Sequence, residues 1–216
     1  MPDIFLLETL TKGLIFLKFL LSFFLFTSLL FSQDAYSLRV AYGKSTKSNL
    51  GNVLIGDITS DVADLRTLSL DGGYLLTNSL FNLPIDLYVK SSLSYFDEAN
   101  RQDDIYEMTL YIKLYYNFKV FDEKLRFGFG EGGSYTSGIL FTEYSGAEAS
   151  NDNTSKYLNY LDISLDVDIG KLFAKKELEG TYVGWLIKHR SGIYGLINDV
   201  KHGGSNYNCL MIEKKF

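Results

Sequence analysis

The nine residues Leu161–Ile169, LDISLDVDI, decide the fold. Leu161, Ile163, Leu165, Val167 and Ile169 alternate with Asp162, Ser164, Asp166 and Asp168. In a β-strand successive side chains point to opposite faces, so this order puts every large apolar group on one face and every carboxylate on the other; a helix would mix them. Working outward, the same period of two recurs. From Ile85 to Tyr95 the odd positions Ile85, Leu87, Val89, Leu93 and Tyr95 oppose Asp86, Tyr88, Lys90, Ser92 and Ser94. From Tyr106 to Tyr116 the even positions Tyr106, Met108, Leu110, Ile112, Leu114 and Tyr116 oppose Glu107, Thr109, Tyr111, Lys113 and Tyr115. Shorter runs complete eight strands, at about 36–44, 66–79, 85–97, 104–117, 123–135, 157–169, 178–191 and 204–216.

Alternation of this kind fits two closed architectures with opposite faces. A soluble eight-stranded barrel puts its apolar residues inside. An outer-membrane barrel puts them outside, against lipid, and packs polar groups within. The connections decide between them. After the first, third, fifth and seventh strands come about 21, 6, 21 and 12 residues, and after the second, fourth and sixth about 5, 5 and 8. Long and short connections alternate, as external loops and periplasmic turns do in outer-membrane barrels. The sequence therefore predicts an all-β, eight-stranded antiparallel up-and-down barrel over 36–216, in the bacterial outer membrane.

The first 35 residues read as an address. Phe19 to Phe31 (FLLSFFLFTSLLF) is uncharged, with Lys12 and Lys18 before it and Ser32 and Ala35 after it. That run is too short for a spanning helix, which needs roughly 20 apolar residues, and it has the order of a secretory signal peptide. Composition narrows the chemistry further. With one cysteine, Cys209, and two histidines, His189 and His202, the chain of 216 residues has no internal disulfide and no multi-histidine metal centre. A formal charge of −5 disfavours nucleic acid as a partner.

Candidate chemistry gathers near the C-terminal end. On the seventh strand Val183, Trp185, Ile187, His189 and Ser191 share the apolar face, so a lipid-facing stripe runs into a histidine and a serine. On the eighth, Asn206 shares that face and can approach both from the neighbouring strand. Serine supplies a hydroxyl nucleophile, histidine accepts its proton, and a third group orients the imidazole, which is the apparatus of ester hydrolysis without cofactor or metal. A polar trio at the end of a lipid-facing stripe is costly unless it serves something.

The arrangement His189-Arg190-Ser191 on the penultimate strand, then Gly204-Ser205-Asn206 shortly before an aromatic C-terminus, resembles the lipid A 3-O-deacylase family. That resemblance implies an eight-stranded outer-membrane esterase that removes an acyl chain from lipid A, with His189 as base and Ser191 as nucleophile. It departs from the family at two positions. The family's acid falls on Asn206, and the asparagine implicated in its oxyanion hole falls on Gly192, which leaves backbone N–H groups for that task. Asp199 or Glu213 remains a candidate replacement acid. Lys188 and Arg190, with Lys201 and His202, are candidates for the phosphates of lipopolysaccharide, and Trp185 for the acyl chain. The expected partners are lipid A and the membrane, for a monomer or homodimer. Two rival readings are a non-catalytic barrel that anchors the envelope or presents loops 45–65 and 136–156 for adhesion, and an acyl transferase.

Other features read as structural. Gly128, Gly130, Gly132 and Gly133 lie in a strand with no helix after it, so they fit strand packing rather than a phosphate loop. Asp162, Asp166 and Asp168 fit interior pairing with Arg39, Lys90, Lys113, Lys124 and Arg126. Glu131, Ser134 and Tyr135 lie near the outer end of the fifth strand.

Overall fold

The computed structural model describes residues 35–216 apart from 60, 62, 122 and 203; the signal-peptide expectation falls on residues outside that set. Eight antiparallel strands close into a barrel in which each pairs with its sequence neighbours and β1 pairs with β8. They are β1 (Tyr36–Ser45), β2 (Arg66–Thr77), β3 (Ile85–Asp97), β4 (Ile105–Val120), β5 (Glu123–Thr136), β6 (Tyr157–Asp168), β7 (Thr181–Ser191) and β8 (Ser205–Lys215). Three short helices lie in the connections: α1 (Leu50–Leu54), α2 (Phe141–Ser150) and α3 (Ile169–Leu172).

The strands fall where the alternation predicts them. β4 runs on to Val120, because Val120 still pairs with Glu123 at the start of β5. The connection 169–180 is longer than expected. Asp168, the last residue of β6 and still opposite Tyr182, accepts the N–H groups of Gly170 and Lys171 on its side chain, which starts α3. At the opposite end, 46–65, 98–104, 137–156 and 192–204 form the external loops.

Which face points inward is settled by charge. Asp162 meets both Arg39 and Lys113 in ion pairs inside the barrel. Lys90 pairs with Glu213 at 2.8 Å, Arg126 with Asp166 at 2.6 Å and Lys188 with Glu107 at 2.9 Å. Tyr111 and Tyr115 donate to Asp71 at 2.6 Å and Glu213 at 2.7 Å. All these groups are buried. An eight-stranded barrel is just wide enough for side chains to fill its interior, and here they fill it with paired charges and tyrosines. Burying a charge is tolerable only when it is paired and hydrogen-bonded, so the interior network and the closed ladder require each other. Glycines make the room: a Cβ at Gly128 would stand 2.3 Å from Ser164 Oγ and 2.6 Å from Lys113 Cε. The glycine-rich run is thus strand packing, as the sequence suggests.

The outward face carries the opposite set. Leu93 and Leu110 are 64% and 65% exposed, and Leu70, Met108, Ile112 and Leu210 stand open beside them. A belt of bare aliphatic and aromatic side chains around a polar centre needs hydrocarbon, not water, as its surroundings. Near the outer end an apolar plug closes the interior, with Leu65 and Leu140 from the loops packed against Phe96, Leu186 and Tyr207.

Candidate functional site

Register brings the predicted trio together on the outer wall. Glu131, Leu161, His189 and Asn206 form one row across β5 to β8, and Gly133, Asn159 and Ser191 form the next row toward the outer end. His189 and Asn206 are directly opposed, with His189 Nδ1 2.7 Å from Asn206 Oδ1.

That contact fixes the imidazole. The Asn206 amide nitrogen donates to the Ser48 carbonyl at 3.1 Å, so its oxygen is the end turned to the histidine. An amide oxygen only accepts, so Nδ1 carries the proton and Nε2 keeps its lone pair. This is the tautomer a general base needs. The amide performs the orienting part of the third member's role, but it brings no negative charge to an imidazolium.

Ser191 occupies the next position on the same face as His189, one strand repeat away, roughly 7 Å between Cβ atoms. Its hydroxyl makes no hydrogen bond among the described residues. The turn after it is strained. Ile193 and Tyr194 have φ of 51° and 55°, left-handed values that cost a β-branched residue about 1–3 kcal/mol. The N–H groups of Gly192 and Ile193 make no hydrogen bond among the described residues, while the Gly192 carbonyl accepts from Ile197 N–H at 2.9 Å. Gly192 itself is dictated by contact, since a Cβ there would lie 2.0 Å from the Val200 carbonyl oxygen. Two N–H groups with no acceptor among the described residues therefore follow directly on the serine, on a backbone that packing holds in place.

The site opens into a groove of about 1340 Å³ at the outer end, lined on its wall side by Phe129, Glu131, Leu161, His189, Ser191 and Asn206. Residues 46–51 and α2 form its other side. Trp185 lies on the same outward face of β7, below His189, and packs against Ile163 and Ile187.

Two of the sequence-predicted contacts are corrected. Lys188 and Arg190 face the interior, as their register on β7 requires, and interior acids hold them there rather than letting them reach a phosphate. Lys188 is held by Glu107, and Arg190 by Glu143 at 3.0 Å and the Lys156 carbonyl at 3.3 Å. Neither presents a group to a lipid outside. The cations that do line the groove are Lys47, Arg101 and Lys201, with the His202 imidazole beside them; Lys47 and Arg101 were not apparent from the sequence because they come from other loops. The replacement acids are corrected as well. Glu213 is locked inside between Lys90 and Arg126. Asp199 is on the surface, accepting from Asn153 and pairing with Lys201 at 3.3 Å. Among the described residues the side chain that partners His189 Nδ1 is Asn206.

The groove's floor is braced by buried acids of the loops. Glu98 accepts from the Phe141 N–H at 2.8 Å at the start of α2, and Glu143 on α2 accepts from Ser205 Oγ at 2.8 Å. Burial pushes the Glu98 carboxyl up to about 7, with Glu143 adding to the shift against the Phe141 hydrogen bond. Burial also raises Glu143, while Arg190 and Ser205 oppose the shift.

The barrel superposes on the outer membrane enzyme PagL with a TM-score of 0.54, over 83% of this chain and 99% of that one, at 13% sequence identity. The fold is that of an outer-membrane barrel. Neisserial surface protein A matches with a TM-score of 0.49, over 85% of this chain and 98% of that one, at 14% identity. At such identities the likeness speaks for architecture alone, and the assignment rests on the first of the two. No family model matches the sequence, and no curated protein aligns with it.

Proposed function

We propose that the protein is a serine esterase of the bacterial outer membrane, made with an N-terminal signal peptide, that removes an ester-linked acyl chain from lipid A. One observation carries the reading: on a lipid-facing wall, His189 is held in the base tautomer by an asparagine that a loop carbonyl pins in place, one strand repeat from a serine whose hydroxyl bonds to none of the described residues. The substrate arrives sideways, from the outer leaflet. Ser191 Oγ attacks the acyl carbonyl carbon and its proton passes to His189 Nε2. The N–H groups of Gly192 and Ile193 are the donors nearest the developing oxyanion. His189 then protonates the leaving sugar oxygen, and water, deprotonated by the same nitrogen, releases the acyl group from Ser191. Lys47, Arg101, Lys201 and His202 suit the phosphates of the headgroup by charge-assisted hydrogen bonds. The trio needs no cofactor.

Ser191→Ala is expected to leave the barrel assembled and to remove deacylation, a loss of at least about a thousandfold. Lipid A mass spectra from cells making either form check this: identical spectra for the two overturn the esterase reading. A second reading is a non-catalytic barrel that presents its loops. The observation in its favour is that Ser191 and His189 do not hydrogen-bond in the resting structure, and it predicts that His189→Ala changes no phenotype of the cell.

A further inference from the structure

We propose that residues 46–59 form a lid on the outer wall, and that the apolar seat beneath it receives the acyl chain of the substrate. The seat is Ile163 and Ile187, which are paired across β6 and β7 and lie one row inward of Leu161 and His189. By register both point outward, yet Ile163 is 7% exposed and Ile187 is fully buried, where outward residues of the open wall such as Leu70, Leu165 and Leu210 are 43%, 44% and 74% exposed. What covers them is α1. Val53 is fully buried against both isoleucines, and Leu50 and Trp185 close the sides.

The lid is a closed lobe on a narrow neck. Thr46 Oγ1 donates to the Thr59 carbonyl at 2.7 Å, the Lys47 N–H donates to the same oxygen at 3.1 Å, and the Thr59 N–H donates to Ser48 Oγ at 2.8 Å. The neck is anchored to β8 by the Thr46 N–H on the Asn206 carbonyl at 3.0 Å and by the Asn206 amide on the Ser48 carbonyl. Beyond the neck, among the described residues, no hydrogen bond or ion pair joins 50–58 to β6 or β7. Leu50 and Val53 hold the helix to the wall by apolar contact alone. Its far side is apolar too: Leu54 and Ile58 are exposed and Ile55 is 81% exposed.

Surroundings decide what such a contact is worth. In water, lifting Leu50 and Val53 would expose apolar surface at about 25 cal/mol per Å². In hydrocarbon that drive is absent, because lipid tails are as apolar as the side chains they replace. An acyl chain can therefore exchange with Val53 at little cost. The site selects the chain that belongs there. A lipid whose ester lies at Ser191 sends its chain toward the bilayer centre along β7, and roughly 13 Å on, four residues along the strand, it meets Ile187. The lid's occupancy of the wall is independent of the esterase reading; the acyl nature of what replaces it rests on that reading.

The test uses Trp185, the only tryptophan of the chain, which borders the seat. The barrel is refolded into phosphatidylcholine vesicles whose acyl chains carry bromine, a contact quencher of indole. Val53→Asp is expected to expel α1 and raise quenching of Trp185 at least twofold over the natural chain; equal quenching in a correctly folded barrel overturns the lid, whether or not the protein hydrolyses anything. The pair Val53→Cys and Ile187→Cys, with Cys209→Ser, is then oxidised to lock the lid. Lipid A deacylation is expected to fall at least tenfold and to return on reduction with dithiothreitol. Equal rates in the two states overturn the seat's role as the acyl site. An absence of hydrolysis in the reduced pair and the natural chain alike defeats the esterase reading and leaves the quenching result to decide the lid.

Discussion

Leu110 on β4 and Ile187 on β7 obey the same rule of alternation and end in different environments. Leu110 stands 65% exposed on a bare wall, while Ile187 is sealed beneath α1. Both point away from the barrel axis. The difference teaches that alternation specifies a face, whereas what lies against that face is set by loops that obey no period. The covered part of the wall is also the part next to His189 and Ser191.

The widest contrast is between the two sides of one strand, and β6 supplies it. Asp162→Ala leaves Arg39 and Lys113 buried without their shared counter-charge, and is expected to cost about 3–5 kcal/mol. Urea unfolding in vesicles should then show little folded barrel remaining. Between the two walls the expected difference is smaller. Leu110→Ala and Ile187→Ala each lose roughly 2 kcal/mol of transfer free energy. Only Ile187→Ala adds a cavity, costing about another 1–2 kcal/mol, because lipid tails flow into the gap at Leu110 and α1 cannot. Equal costs in the same assay would mean that α1 packs no more firmly than lipid.

Glu131 tests whether the wall near the site is tuned for work. It is an exposed carboxylate between Ile112 and Leu161 on the outward face, and no hydrogen bond or ion pair holds it among the described residues. Glu131→Leu is expected to stabilise the barrel by about 1 kcal/mol, as removal of a charge from a lipid face near its rim should, and to slow lipid A turnover. Faster turnover would sever the link between the groove and the reaction. The smallest effect is a pH dependence at the mouth. The folded state raises Glu98 to about 7, so it favours the neutral acid. Its contribution is fully present below the ordinary carboxyl range and is lost as pH rises through about 7. Amide exchange in α2 should therefore quicken relative to β4 between pH 5 and pH 8, and Glu98→Gln should flatten that change.

The strands were legible because LDISLDVDI and its relatives repeat every two residues over lengths a barrel needs, and because neighbouring strands fix each other's register. The His189–Asn206 contact followed from that register alone. The inward orientation of Lys188 and Arg190 also follows from alternation; what the sequence left open, whether they turn back to the wall or pair inside, is decided by Glu107 and Glu143. Leu50–Ile58 was illegible for a different reason. Its apolar residues show no period, and their partners Ile163 and Ile187 lie more than a hundred positions away in the chain. The pinning of the Asn206 amide was equally hidden, since its partner is a backbone carbonyl of Ser48, which no side chain betrays.

The salt-linked interior has a last consequence. Arg39, Lys113 and Arg126 stand where a channel protein would keep water, with Tyr111 and Tyr115 packed against them. Reconstituted in a planar bilayer, such a cylinder should pass no current steps. A cell could crowd its surface with copies and stay as tight to sugars, ions and antibiotics as it was before.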